Sequence, residues 1–146
     1  MKRKQGISLV MVIAAVVIML VLISSAAVVG SNAIDSANFD EYILSVSRVS
    51  DLVNEYFLNN NNNLPVTADV VNISSLPNEF KQQLVNNNDS SNKLYVVDIG
   101  LLKDSTIKKG RGTLISQDVF LVAEETNNVY YMKGYNYKSK TYYGVE

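Results

Sequence analysis

The chain of 146 residues contains no cysteine and no histidine, and it has only two prolines. Without cysteine there is no disulfide, no thiolate nucleophile and no zinc site built on thiolates. Without histidine the chain lacks the side chain that most often serves as general base and metal ligand. The composition therefore argues against an enzyme, and we expect no catalytic residue, no metal and no cofactor.

Charged residues are missing from a long N-terminal stretch. Lys2, Arg3 and Lys4 open the chain, and the first acidic residue is Asp35. Between them, residues 7–29 are apolar except for three serines. A helix of that length would span about 34 Å, close to the roughly 30 Å of a bilayer's hydrocarbon core. The sequence predicts a membrane-spanning helix whose N-terminus stays in the cytoplasm, because cations precede it.

A secretory signal peptide and a plain signal-anchor are two alternatives for this stretch. A signal peptide would be cut at a small-residue site ending at Ala26 or Ala33. Its apolar region would then exceed the usual length of about 7–15 residues. The signal peptide would give a secreted soluble protein. The signal-anchor would give a membrane-anchored extracellular binding module that does not polymerise.

Gly6 lies where the basic residues end and the apolar stretch begins. A short basic leader that ends in glycine, directly before an apolar helix, resembles the type IV pilin and type II secretion pseudopilin families. The resemblance implies cleavage between Gly6 and Ile7 by a prepilin peptidase, with N-methylation of Ile7. It also implies that the apolar helix is kept and packs in a filament. The first assembly residues would be Ile7, Leu9, Val10, Met11, Val12 and Ile13.

Met11 departs from the pattern of these families, whose fifth mature residue is usually glutamate. That carboxylate is thought to pair with the amino terminus of a neighbouring subunit, and a carboxylate at such a depth is costly without a partner. Family members that lack the glutamate include minor subunits at the filament tip. Met11 therefore favours a minor pilin or pseudopilin over a major subunit.

The resemblance also implies a location, partners and a domain organisation. The chain would be a single-pass protein of the cytoplasmic membrane, with its C-terminal domain outside, and would later enter an extracellular filament. Its partners would be other pilin subunits, the prepilin peptidase, a membrane assembly platform and, before assembly, the lipid bilayer. Residues 1–6 would be the leader, 7–30 the filament-core half of the helix, and 31–146 the globular domain.

Residues 31–58 are expected to continue the helix in amphipathic form. Apolar side chains recur at steps of three, four and seven, and charged side chains fall largely on the other side. The apolar stripe consists of Ile34, Phe39, Tyr42, Ile43, Val46, Val49, Leu52, Val53, Tyr56 and Phe57. We expect one helix over residues 7–58, with a hinge at Gly30 as the alternative. Asparagines before Pro65 would end it.

The sequence of the C-terminal half predicts a β-sheet. Residues 59–92 are rich in asparagine and serine and are expected to form a variable loop with one short helix over Pro77–Leu84. Residues 93–146 contain four stretches typical of strands, two of them joined at residues 126–128 as a hairpin. We expect an α+β fold, with a long N-terminal helix against an antiparallel sheet of about four strands. The order of these elements resembles pilin-type proteins of Gram-positive bacteria.

Two groups of basic residues are candidate binding sites. Residues 130–143 interleave six tyrosines with three lysines, a mixture that can stack on single-stranded nucleic acid or sugar rings. Tyrosine is also a good strand residue, so the rings could serve only to pack the sheet. The second group, residues 108–112, lacks the spacing of a phosphate-binding loop and predicts a solvated loop. The candidate surface residues, with DNA or a surface ligand as partner, are Tyr135, Tyr137, Lys138 and Lys140.

Overall fold

The computed structural model describes residues 33–91 and 93–145. The chain divides into two compact units, Met1–Asn38 and Phe39–Glu146, and the second contains the packing described below. Helix α1 occupies residues 33–59. The elements that follow are β1 (Val66–Val71), a 3-10 turn (Ile73–Ser75), α2 (Asn78–Asn86), β2 (Leu94–Val97), α3 (Ile99–Leu102), β3 (Phe120–Ala123), β4 (Val129–Tyr137) and β5 (Lys140–Gly144).

The strands form one antiparallel sheet in the order β1-β2-β3-β4-β5, so each strand pairs with its neighbours in the chain. The α+β class, with a helix before an antiparallel sheet, is thus confirmed, but the sheet has five strands rather than about four. The additional strand, β1, lies inside residues 59–92, where the sequence predicts a loop. Val71 is the one fully buried residue of β1. An edge strand that buries so little lacks the alternation that would reveal it in the sequence.

Helix α1 covers one face of the sheet with four side chains that are nearly inaccessible to solvent. The four are Tyr42, Val46, Val49 and Val53, each at most 1% exposed. Spacings of four, three and four residues place them on one side of a helix, as the periodicity predicts. They pack against Phe120 and Val122 of the central strand β3. Burying each such side chain contributes about 1.5–3 kcal/mol, so this contact is a principal source of stability.

Helix α1 ends at residue 59, close to the predicted end at residue 58. Asn61 and Asn62 have φ angles of 55° and 60°, in the left-handed region that asparagine tolerates better than most residues. The Asn62 amide donates to the Phe57 carbonyl (3.0 Å). The Asn60 side chain donates to the Tyr56 carbonyl (2.8 Å). These bonds satisfy carbonyls that the last helical turn leaves without a partner.

The short predicted helix is confirmed as α2, and it covers the opposite face of the sheet. Its buried Phe80 and Leu84 pack in one cluster with Leu121 and Tyr130. Side chains of a strand alternate between the two faces, so neighbouring residues of β3 contact different helices. All four residues of β3 are buried. The sequence predicts the helix but not that the sheet is covered on both faces.

Side chains of α2 also occupy the outer hydrogen-bonding edge of β5. The Gln83 amide group donates to the Thr141 carbonyl (2.7 Å), and its oxygen accepts from the Tyr143 amide (2.9 Å). The Thr141 amide donates to a carboxylate oxygen of Glu79 (3.2 Å). These bonds replace those that another strand would make. They therefore protect the β5 edge from pairing with a second chain.

The buried carboxylate of Asp89, shortly after α2, holds the β3–β4 hairpin. It accepts hydrogen bonds from the Thr126 hydroxyl (2.7 Å), from the Asn128 amide group (2.9 Å) and from the Tyr130 hydroxyl. A fully buried carboxylate is stable only with such donors. Burial, and next its hydrogen bond to Asp89, raise the pKa of Tyr130 above its ordinary value. The hairpin predicted at residues 126–128 is confirmed, and its anchor lies far away in the sequence.

The predicted single-pass membrane location is wrong for the part of the chain that the structure describes. Among residues 33–91 and 93–145, none of the helices combines the length and the apolar character needed to cross a bilayer. The longest of them, α1, carries exposed charged side chains at Asp40, Arg48, Asp51 and Glu55. Such charges are costly in a hydrocarbon environment.

We expect Gln83→Ala to lower the free energy of unfolding by about 2–4 kcal/mol, because it leaves the Thr141 carbonyl and the Tyr143 amide without partners at a covered edge. Urea denaturation followed by circular dichroism measures the change. Gln82→Ala is the matched control, because among the described residues the exposed Gln82 side chain bonds to Asn86 alone, and its expected effect is below about 0.5 kcal/mol. Equal effects of the two substitutions would contradict the role assigned to Gln83.

Candidate functional site

The β4–β5 hairpin contains all four residues of the predicted binding surface. Its last strand pair is Tyr137 with Lys140, and its two-residue turn consists of Lys138 and Ser139. Both turn residues have positive φ angles, 50° and 64°, as in the type I′ turns that match the twist of a hairpin. Lys138 and Lys140 are exposed at this tip.

The tyrosines of this surface pack on helix α1. Tyr137 stacks on Phe39, with ring centroids 4.4 Å apart and planes within 5° of parallel. Tyr135 stacks on Tyr42 at a centroid distance of 5.1 Å. Tyr142 of β5 contacts Phe39 at 4.8 Å, and its carbonyl accepts a hydrogen bond from the Tyr42 hydroxyl (2.7 Å). These contacts fix the hairpin beside residue 39 of α1.

The two exposed lysines lie over tyrosine rings of the same hairpin. The ammonium nitrogen of Lys138 is 5.3 Å from the ring centroid of Tyr137, and that of Lys140 is 4.8 Å from Tyr142. A cation–π contact at an exposed site contributes about 0.5–1 kcal/mol. Each contact restricts a long side chain, so the positive charges at the hairpin tip are held close to the surface.

Lys109 joins this surface from a different part of the chain. Its ammonium nitrogen lies 5.1 Å from the ring centroid of Tyr42, 5.9 Å from Tyr131 and 5.7 Å from Tyr135. The sequence assigns Lys109 to a solvated loop, but the structure places it among three tyrosines and makes it partly buried. No local pattern could have revealed this contact, because it joins three elements that are distant in the sequence.

Asp118 attaches the connection between α3 and β3 to the same tyrosine group. Its carboxylate accepts from the Gly110 amide (2.8 Å) and from the Tyr131 hydroxyl (2.5 Å). Burial by itself would raise the pKa of Asp118. The hydrogen bonds from Tyr131 and Gly110, together with the charges of Lys133 and Lys109, outweigh burial and hold that pKa below its ordinary value.

An ion pair attaches the same connection to α1. Asp104 accepts two hydrogen bonds from the Arg48 guanidinium (2.9 and 3.1 Å), and its other carboxylate oxygen accepts from the Thr106 amide (2.9 Å) and hydroxyl. The bonds from Thr106, and next those from Arg48, lower the pKa of Asp104 to about 2. Arg111 donates to the carbonyls of Ile107 (2.8 Å) and Asp104 (3.1 Å). The guanidinium groups of Arg48 and Arg111 therefore serve the fold.

The tyrosine rings of this surface are already in contact with other side chains of the fold. Tyr135, Tyr137 and Tyr142 each contact both an aromatic ring of α1 and a lysine ammonium. Stacking on a base or a sugar would therefore have to displace existing contacts of the tyrosine rings. Residues 126–145 contain no acidic side chain, but the Glu79 carboxylate of α2 accepts a hydrogen bond from the Thr141 amide of the same hairpin. Binding of a nucleic acid or a sugar by this hairpin remains a prediction.

The processing residues Gly6 and Ile7, and the assembly residues up to Ile13, lie outside the described residues. Comparison of the chain with protein-family models, curated proteins and solved structures finds no match. The pilin resemblance therefore depends on the N-terminal residues and on the order of the elements.

We expect acid to weaken the attachment made by Asp104. Its pKa is about 2 in the folded chain against an ordinary value of 3.8, so its contribution is present above about pH 4 and is lost as the pH falls toward about 2. Asp104→Asn should lower stability near neutral pH and reduce the further loss in acid. Urea midpoints measured between pH 6 and pH 3 test this, and an unchanged acid dependence would contradict it.

Proposed function

We propose that this chain is a structural subunit, a minor pilin or pseudopilin, of a filament of the type IV pilus or type II secretion kind. The observation that carries the proposal is the junction at Gly6. Three cations precede it, and no ionisable side chain follows before Asp35. A prepilin peptidase that cuts there would make Ile7 the new N-terminus. The apolar residues 7–29 would then pack against the same residues of other subunits, because packing removes apolar surface from water.

The coarse fold is compatible with this proposal. A helix precedes an antiparallel sheet and buries one face against it, which is the arrangement that the resemblance implies. The opposite face of α1 is exposed. The domain would therefore pack its sheet without help from neighbouring subunits and keep a helical surface for contact with them.

Three carboxylates of the described chain accept several hydrogen bonds each, and their contacts support a structural role rather than a catalytic one. Asp89 holds the β3–β4 hairpin, Asp104 attaches the connection to α1, and Asp118 fixes that connection to β4. Each is explained by the contacts it makes within the fold. We therefore propose that the chain acts by assembly and does not catalyse a reaction.

Replacing Gly6 by a bulky residue tests the proposal. In cells that normally make this protein, Gly6→Leu should retain residues 1–6 and fail to enter filaments sheared from the cell surface, whereas the parent chain should be present in them. Gln5→Ala is the control, because it changes the leader without altering the cleaved bond. The absence of the parent chain from the filament fraction, or equal incorporation of Gly6→Leu, would contradict the proposal.

A further inference from the structure

We propose that Asn72 is an acceptor for N-linked glycosylation, with a sugar activated through a phosphate or diphosphate ester as the co-substrate. The inference goes beyond the proposed function and does not depend on it. Two tripeptides of the chain have the acceptor pattern Asn-X-Ser, residues 72–74 and residues 88–90. The pattern by itself does not distinguish between them, whereas the structure does.

The exposed side chain of Asn72 is hydrogen-bonded through its oxygen and not through its nitrogen. The Oδ1 atom accepts from the Ser74 amide (3.0 Å) and from the Ser74 hydroxyl (2.8 Å). Among the described residues, the Nδ2 atom has no hydrogen-bond partner. The serine of the acceptor pattern is therefore already in contact with the amide group that would be modified.

The two hydrogen bonds from Ser74 favour the reactive form of this amide. An amide nitrogen is a poor nucleophile, because its electron pair is delocalised toward the oxygen. Loss of a proton from Nδ2 leaves negative charge largely on Oδ1, and hydrogen bonds to the charged form of a group favour that form. The amide and hydroxyl of Ser74 both donate to that oxygen. They therefore lower the free energy needed to activate Nδ2.

The transfer step needs the activated sugar and a glycosyltransferase. Nδ2 of Asn72 forms a bond to the anomeric carbon of the sugar, and the bond from that carbon to the phosphate oxygen breaks. The phosphate or diphosphate leaves with the electron pair, and the Nδ2 proton passes to a base of the transferase. No oxidant or reductant takes part.

The fold holds the first tripeptide in place at the surface. Ile73 packs against the core cluster that α2 forms with the sheet, whereas Asn72 and Ser74 on either side of it are exposed. The Ser75 hydroxyl donates to the Asn72 carbonyl (2.7 Å) and closes the turn. A transferase can therefore reach the acceptor amide in the folded chain.

The second tripeptide lacks this arrangement. Among the described residues, no hydrogen bond joins the Asn88 side chain to Ser90. Asp89 between them is completely buried, where its carboxylate holds the β3–β4 hairpin. Fitting this segment into a transferase would withdraw Asp89 from its buried donors, at the cost of an unpaired carboxylate. We therefore assign the modification to Asn72 and not to Asn88.

A sugar on Asn72 would lie at the edge of the sheet that α2 does not close. Asn72 directly follows β1, which is the strand at that edge. Side chains of α2 already occupy the opposite edge, at β5. A bulky, hydrated sugar beside the end of β1 would hinder its pairing with a strand of another chain.

Mass spectrometry of tryptic peptides from the protein isolated from its native cells tests the inference. Cleavage after Lys81 separates the two tripeptides, because Asn72 lies in peptide 49–81 and Asn88 lies in peptide 82–93. We expect peptide 49–81 to carry the additional mass of at least one hexose or N-acetylhexosamine. Peptide 82–93 should have the mass of its amino acids alone.

Variants of the first tripeptide test the roles of its two polar side chains. Asn72→Gln should abolish the additional mass. Ser74→Ala should lower the modified fraction about tenfold, because a hydrogen bond to a charged group contributes roughly that factor. Ser74→Thr, which keeps the hydroxyl, should retain the sugar. Ser75→Ala is the matched control, because it removes a neighbouring hydroxyl of the same turn and leaves the acceptor pattern intact.

Four results would overturn the inference. They are a parent peptide 49–81 without additional mass, a sugar on peptide 82–93 instead, additional mass that persists in Asn72→Gln, and an equal loss in Ser75→Ala. Persistence in Asn72→Gln would assign the sugar to a hydroxyl group. The cleavage at Gly6 is detected on a different peptide, so failure of this inference and failure of the proposed function are distinguishable.

Discussion

The fold depends on the burial of one face of α1 against the sheet. Tyr42, Val46, Val49 and Val53 fill the contact, and Phe120 and Val122 of the central strand receive them. A meander with one bare apolar face is not stable in water, and an isolated amphipathic helix is marginal by itself. Each element thus supplies the surface that the other lacks. The opposite face of α1 is left exposed.

Polar side chains then determine how the remaining parts attach to this core. Asp89 holds a hairpin, Gln83 closes a sheet edge, and Asp118 and Asp104 attach the long connection before β3. Within the described chain no buried side-chain nitrogen or oxygen lacks a hydrogen-bond partner. Because unpaired buried polar groups cost about 1–3 kcal/mol each, these contacts select one arrangement of the loops.

The sequence predicts those parts of the fold that have a local signal. Helix α1, its asparagine-rich end, α2 and four of the strands follow from periodicity and turn residues. Strand β1 cannot be predicted from such signals. Val71 is its one buried residue, and Pro65 and asparagines flank the strand. The placement of α2 on the second face is also hidden, since Phe80 and Leu84 show an apolar side but not its partner. Sequence patterns indicate which surface of an element is buried, but they seldom indicate which other element it packs against.

The residues of the candidate site also divide into those with a local sequence signal and those without one. The four hairpin residues stand out as an aromatic and basic stretch, and the structure keeps them together. Lys109 and Phe39 could not be found in this way, because each reaches the hairpin from a distant element. The lysines of residues 108–112 suggest only a solvated loop until Tyr42 and Tyr131 are seen beside Lys109. Tertiary contacts bring together basic residues of two stretches, 108–112 and the β4–β5 hairpin, that are separate in the sequence.

The proposal that this chain is a pilin specifies the first residue of the mature chain. That residue can be identified without any knowledge of the filament. Mass spectrometry of the protein isolated from its native cells measures that residue directly. The account predicts a chain that begins with N-methylated Ile7. A chain that begins at Met1, or near Ala27 or Asn32, would contradict it.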